Sequence, residues 1–245
     1  CADRLGWAGD VVDLARRLRD PVLELLGRRL RLVALLETGA VTEADTEALA
    51  FDHVATALDQ PFYRWYPPLW RGMRALLEGR YDDVRAALDR TEELGRASGS
   101  ANALVLAATQ RWCLLTDTGD QAELARFSAD AGLEDIPGIW PQVTLSLLAA
   151  QLDRHDEARA RLSAVAPRLA AAPRDSEWLP MLTQAADAIA LTGPHPAARP
   201  IYDWLTPYAD LFVVEGIGAA VRGPVHRYLA LLADALGEPA AAGDH

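Results

Sequence analysis

The chain contains no lysine: all 24 of its basic residues are arginine. That absence removes every chemistry needing an amine of its own, including a phosphate loop of the G-x-x-x-x-G-K type, a kinase-type lysine and a Schiff base. Cysteine is scarce, with Cys1 and Cys113 far apart and neither in a C-x-x-C pair. Two such residues cannot form a disulfide framework, which fits a reducing compartment and the expectation of a cytoplasmic protein. No apolar run reaches the ~18 residues that a membrane span needs, so no membrane partner is expected. Histidine is sparse and scattered: His53, His155, His195, His226 and His245 form neither H-E-x-x-H nor a Cys/His cluster. No metal or other cofactor is therefore expected. Positive charge is in deficit, and the net charge of -11 argues against nucleic-acid binding by this segment. Phosphate contacts require a basic face. The exception near the start, Arg16, Arg17, Arg19, Arg28, Arg29 and Arg31, has the helical spacing of solvated edges on two amphipathic helices.

What is present is helical. At 245 residues and 51% hydrophobic content the chain can bury a substantial core. Alanine, leucine and arginine abound, apolar residues recur at three and four, and breaks fall at Gly, Pro and Asp. The pattern predicts helices near 9–18, 21–37, 42–59, 62–78, 81–97, 101–116, 120–132, 139–152, 155–171, 176–191, 195–208 and 218–236.

The turns carry more information. Gly79 is followed five positions on by Val84, and the same offset joins Gly9 to Leu14, Gly39 to Ala44, Gly119 to Leu124, Asp153 to Ala158, Gly193 to Ala198 and Gly237 to Ala242. Successive gaps are 30, 40, 40, 34, 40 and 44 residues, each holding two helices and two turns. A glycine can take φ > 0 where a helix ends, and a small residue in the next helix lets the two axes approach. A helical hairpin with one apolar face cannot bury it alone, so neighbouring hairpins must stack.

GRYDDV at 79–84 and DRHDEA at 153–158 resemble the central turn of the tetratricopeptide repeat, and Gly72 matches that repeat's glycine seven residues before the turn glycine. Trp112, Ser146, Ala186 and Ala230 stand at the equivalent positions, so the other copies are eroded. The segment 202–237, YDWLTPYADLFVVEGIGAAVRGPVHRYLALLADALG, resembles the end of the tetratricopeptide-like region in large bacterial signalling proteins. In that family the region adjoins a STAND or AAA-type nucleotide-binding module and a LuxR-type or similar output domain. The resemblance implies a single domain over 1–245, an all-α, right-handed α-solenoid of degenerate tetratricopeptide-like hairpins. The absent capping helices imply a fragment of a longer protein that continues in both directions.

Features that imitate catalytic chemistry have structural readings. FVVEGIGAAV at 212–221 resembles the start of a dinucleotide-binding unit, but lacks the third glycine and a second strand pattern, and is read as a long inter-helix loop. Asp82-Asp83 opens a helix, where carboxylates favour the positive end of the dipole. No G-x-S-x-G elbow appears, and His155 and His195 are read as solvated turn residues. Most of the aromatic residues are assigned to the core.

The tetratricopeptide resemblance implies that the first helix of each hairpin lines a concave groove. Its candidates are Tyr66, Met73, Thr109, Cys113, Trp140, Leu147, Thr183, Asp187 and Arg227, with Leu231 beside the last. That mixed lining suits a protein partner, a peptide or a small-molecule effector better than a highly charged ligand. The expected function is non-catalytic sensing or protein interaction within a bacterial transcriptional regulator. The alternatives are a scaffold that binds only protein and an all-helical enzyme, which would require paired carboxylates in a pocket.

Overall fold

In the computed structural model, which describes residues 2–245, helix follows helix along the chain. They are α1 (Ala2–Leu18), α2 (Pro21–Glu37), α3 (Val41–Leu58), α4 (Tyr66–Leu77), α5 (Tyr81–Ala97), α6 (Ala101–Thr118) and α7 (Gln121–Asp130). Then come α8 (Trp140–Gln151), α9 (His155–Leu169), α10 (Trp178–Thr192), α11 (Ala198–Leu205), α12 (Val225–Ala235) and α13 (Pro239–Asp244). One two-stranded sheet interrupts them, β1 (Phe212–Glu215) beside β2 (Ala220–Pro224). The fold class is all-α. Cys1 lies outside the described residues.

Local chemistry explains where helices begin and end. Proline stands in the first turn of α2, α4 and α8, where its missing N–H leaves no intrahelical bond unmade. Asp20 caps α2, its carboxylate accepting from the backbone N–H groups of Val22 and Leu23. Asp82 and Asp83 lie in the first turn of α5, ion-paired to Arg85 and Arg80. At the other ends, Gly39, Gly79, Gly119, Gly193 and Gly237 all have positive φ, and Asp153 takes the same conformation at φ 57°. Five positions on, Ala44, Val84, Leu124, Ala158 and Ala198 are buried. Gly9 departs from the pattern: it lies inside α1 and makes no turn. One helical glycine costs only about 1 kcal/mol, which the packing of α1 on α2 outweighs.

The chain divides into two compact units, one of residues up to 114 with 214–222, the other of 115–213 with 223–245. In the first, α1 packs on α2, α2 on α3 and α4 on α5. Its core holds an aromatic stack: Trp65 lies 3.7 Å from Tyr66 between ring centroids, and Phe51 meets Trp70 edge-on at 4.8 Å. Such pairs contribute about 0.5–1.5 kcal/mol each beyond area burial. Arg28 is buried, bonded to Glu24 at 2.7 Å and Glu47 at 2.9 Å, while Arg31 reaches Glu47 at 2.8 Å. The arginine cluster is thus not wholly a solvated edge, because α1 and α3 cover two sides of α2.

The stretch Phe212–Val221 corrects the expectation of a loop. A connection this short makes β1 and β2 an antiparallel hairpin, with Gly216 and Gly218 in its turn. Gly218 sits at φ 92°, where a Cβ would come within 3.1 Å of the Trp70 ring, and the Trp70 indole donates to the Ile217 carbonyl at 2.8 Å. Gly72 is equally constrained: its Cβ would meet Gln110 Oε1 at 2.2 Å. The buried Gln110 amide donates to the Leu69 carbonyl at 2.9 Å and the Ala219 carbonyl at 2.6 Å.

In the second unit, α8 packs on α9, α10 on both, and α12 on α10 and α11. The core is mostly aliphatic and small, with Leu162, Leu182, Ala185, Ile189 and Leu229 around Trp178 and Tyr228.

Candidate functional site

Every second helix of the second unit, α8, α10 and α12, presents one face to a shared cavity of about 520 Å³. From α8 come Leu147, Ala150 and Gln151; from α10, Asp187, Ala190 and Leu191; from α12, Arg227 and Leu231. The spacing within each helix is that of adjacent turns, so one face of each is continuous. The end of α6 and the start of α7 add Leu115, Thr116 and Leu124.

The cavity is an apolar bed crossed by one ion pair. Arg227 Nη1 lies 3.1 Å from Asp187 Oδ1, with the arginine side chain half exposed and the aspartate largely covered. The Arg227 guanidinium also lies 4.8 Å from the Tyr228 ring centroid. Gln151 donates to Thr116 Oγ1 at 3.1 Å. Asp153, in the left-handed turn before α9, is a second carboxylate in the lining. Such a surface can anchor apolar side chains between two polar ends. Of the two carboxylates, Asp187 is engaged by Arg227, while the exposed Asp153 lies 3.6 Å from His155 Nε2.

Of the residues singled out in the sequence, Leu147, Asp187, Arg227 and Leu231 line this one cavity. The other candidates are placed elsewhere. Tyr66 is buried in the aromatic stack and lines a different cavity, in the first unit. Met73 and Cys113 are buried in the first unit's interior. Thr109 is half-buried, and its hydroxyl donates back to the Val105 carbonyl. Trp140 packs half-buried against the second unit's core, and Thr183 is fully buried with its hydroxyl on the Leu179 and Pro180 carbonyls. Gln151 and Leu191 were reachable from the sequence by stepping one turn beyond Leu147 and Asp187; Leu124 was marked only as a packing position after Gly119, and Leu115 and Thr116 carried no signal.

Ser163 and His195 form a pair that the sequence did not predict, 2.9 Å apart. His195 is buried rather than solvated, its ring bonded to Ser163 on one side and to the Ala197 backbone on the other. Its Nδ1 accepts from the Ala197 backbone N–H at 3.1 Å, so in the neutral ring the proton sits on Nε2 and is donated to the serine. A nucleophile and its base need the opposite arrangement. Burial, with the Arg159 charge nearby, pushes the His195 imidazole below its ordinary value and favours that neutral ring.

Among the described residues no three His, Cys, Asp or Glu side chains could together hold a metal ion, and no helix is long and apolar enough to cross a membrane. Comparison with known proteins finds no matching family model, no matching curated protein and no matching solved structure.

Proposed function

We propose that the chain is a non-catalytic sensing and protein-interaction module, a right-handed superhelix of tetratricopeptide-like hairpins from a cytoplasmic bacterial regulator of transcription. The observation that carries this reading is the convergence of Leu147, Asp187, Arg227 and Leu231, from alternate helices, on one cavity. Its occupant is an amphipathic segment of a partner protein or of a neighbouring domain, laid with apolar side chains on Leu147, Leu191 and Leu231 and a polar group at the Asp187–Arg227 pair. A small effector bound in the same bed would act by favouring one curvature of the stacked helices and so biasing an attached nucleotide-binding switch.

Selection of displayed amphipathic helical peptides against the chain tests the reading. The expected outcome is a set of binders whose affinity falls at least tenfold with Leu191→Asp, an exposed position whose change leaves the core intact. Binders indifferent to both Leu191→Asp and Arg227→Ala would refute it.

A further inference from the structure

A cavity of about 360 Å³ in the first unit lies between the start of α2, Phe51 of α3 and the segment 62–66. Its rim is apolar and open: Val22, Leu26 and Phe62 are 44%, 40% and 49% exposed. Val22 and Leu26 stand one turn apart on α2, and Arg29 continues the same face into the cavity. Large apolar side chains left together at the mouth of a concave site are the usual mark of something that covers them.

Arg29 is the unusual member. Arg28 and Arg31, on either side of it, are each ion-paired, whereas among the described residues Arg29 has no ion-pair partner. Its one hydrogen bond among the described residues runs from Nη1 to the Tyr66 hydroxyl at 3.0 Å, and its Cζ lies 5.9 Å from that ring's centroid. Its Nε is buried without a partner. A guanidinium has five donors in a planar fork, and most of this one's capacity is unused in a half-apolar cleft where an unpaired charge is costly. The acidic residue in the lining, Asp20, already caps α2 with Oδ1. An anion is therefore the missing partner. The fork fits a carboxylate, and the rim of Val22, Leu26 and Phe62 fits an apolar body attached to it.

We propose that this cavity binds a small monocarboxylate with an aliphatic or aromatic body, its carboxylate on Arg29 and its body against Val22, Leu26 and Phe62. The proposal is independent of the reading of the α8–α10–α12 cavity.

Titration calorimetry of the whole chain with octanoate, 3-phenylpropionate and 1-octanol tests it. At least one acid binds, and octanoate binds on the order of tenfold or more tightly than octanol, the margin of a charge-assisted hydrogen bond. Arg29→Met removes that margin. Leu26→Glu, an exposed change that keeps the core, places a competing carboxylate one turn from Arg29 and weakens the acid at least tenfold while affecting octanol less. Circular dichroism establishes that both variants are folded. Failure of both acids to bind, equal affinity for octanoate and octanol, or octanoate binding unchanged in Leu26→Glu would overturn the proposal.

Discussion

The two units are both built of helices but bury different chemistry. In the first, left-handed residues close helices at equal intervals, Arg19, Gly39, Asp59, Gly79 and Gly99, and the rhythm runs on to Gly119. Inside this regular frame lie an aromatic stack and the buried Arg28–Glu47 pair. The second unit has unequal intervals, from Gly119 to Asp153, Gly193 and Gly237, around an interior of leucine and alanine. One of its ion pairs, Asp187–Arg227, opens onto a cavity. A regular repeat therefore does not dictate what the interior contains. Arg28 and Glu47 share a cleft with Gly9, Val12 and Ala50 of α1 and α3, whereas the second unit's Asp187–Arg227 pair stands at a cavity lined by leucine and alanine.

Removing the aromatic stack gives the largest expected effect. Trp70→Ala loses about 3–5 kcal/mol in urea denaturation, since the indole is 2% exposed and donates to Ile217. The half-buried Trp204 is the control, and an equal loss for Trp204→Ala would dissolve the contrast between the two cores. Next in size is the charge comparison. Arg28→Met costs about 3 kcal/mol because Glu47 loses a buried partner, while Arg227→Met, at a half-exposed pair, costs less than about 1 kcal/mol. Similar losses in thermal unfolding would show that burial of the first pair does not matter.

Glycine substitutions sharpen the comparison by sign. Gly72→Ala destabilises by about 1–3 kcal/mol, because the new methyl displaces the buried Gln110 amide. Gly6→Ala in α1 meets no neighbour and stabilises by about 0.5–1 kcal/mol. The smallest effect is the pH dependence from His195. Its folded-state value lies below the ordinary 6.5, so the unfolded chain takes up the proton first as pH falls. Stability should decline as pH drops through about 6.5, and His195→Gln should flatten that slope. Chemical denaturation at pH 7.5, 6.5 and 5.5 checks it; an unchanged slope would exclude His195 as its source.

The helices and most turns were legible because a left-handed glycine and a small residue five positions on are chemically constrained by close packing. Turns at Arg19 and Asp59 had no such mark, since neither residue type requires positive φ. Gly9 misled because an unpacked glycine inside a helix looks the same in sequence as one that ends it. The hairpin was missed for a related reason: Gly216, Gly218 and Gly223 suggest bending, but pairing of β1 with β2 depends on what the tip packs against, including Trp70 far earlier in the chain. In the cavity, Leu147, Asp187, Arg227 and Leu231 meet because residues a turn apart on α8, α10 and α12 share a face. Met73, Cys113 and Thr183 lie in the interior because register gives a face but not what covers it.

The Gln110 amide and the Trp70 indole also fix an order of events during synthesis. Gln110 bonds one carbonyl 41 residues away and another 109 away, and Trp70 reaches 147 residues ahead to Ile217. On the ribosome Gln110 and Trp70 emerge long before the Ala219 and Ile217 carbonyls exist. Helices α1–α5 can form and pair locally, but their last hydrogen bonds wait until residues 214–222 have been made. The first unit is begun first and completed almost last, so a chain truncated before β2 carries a finished set of helices around an unfinished interior.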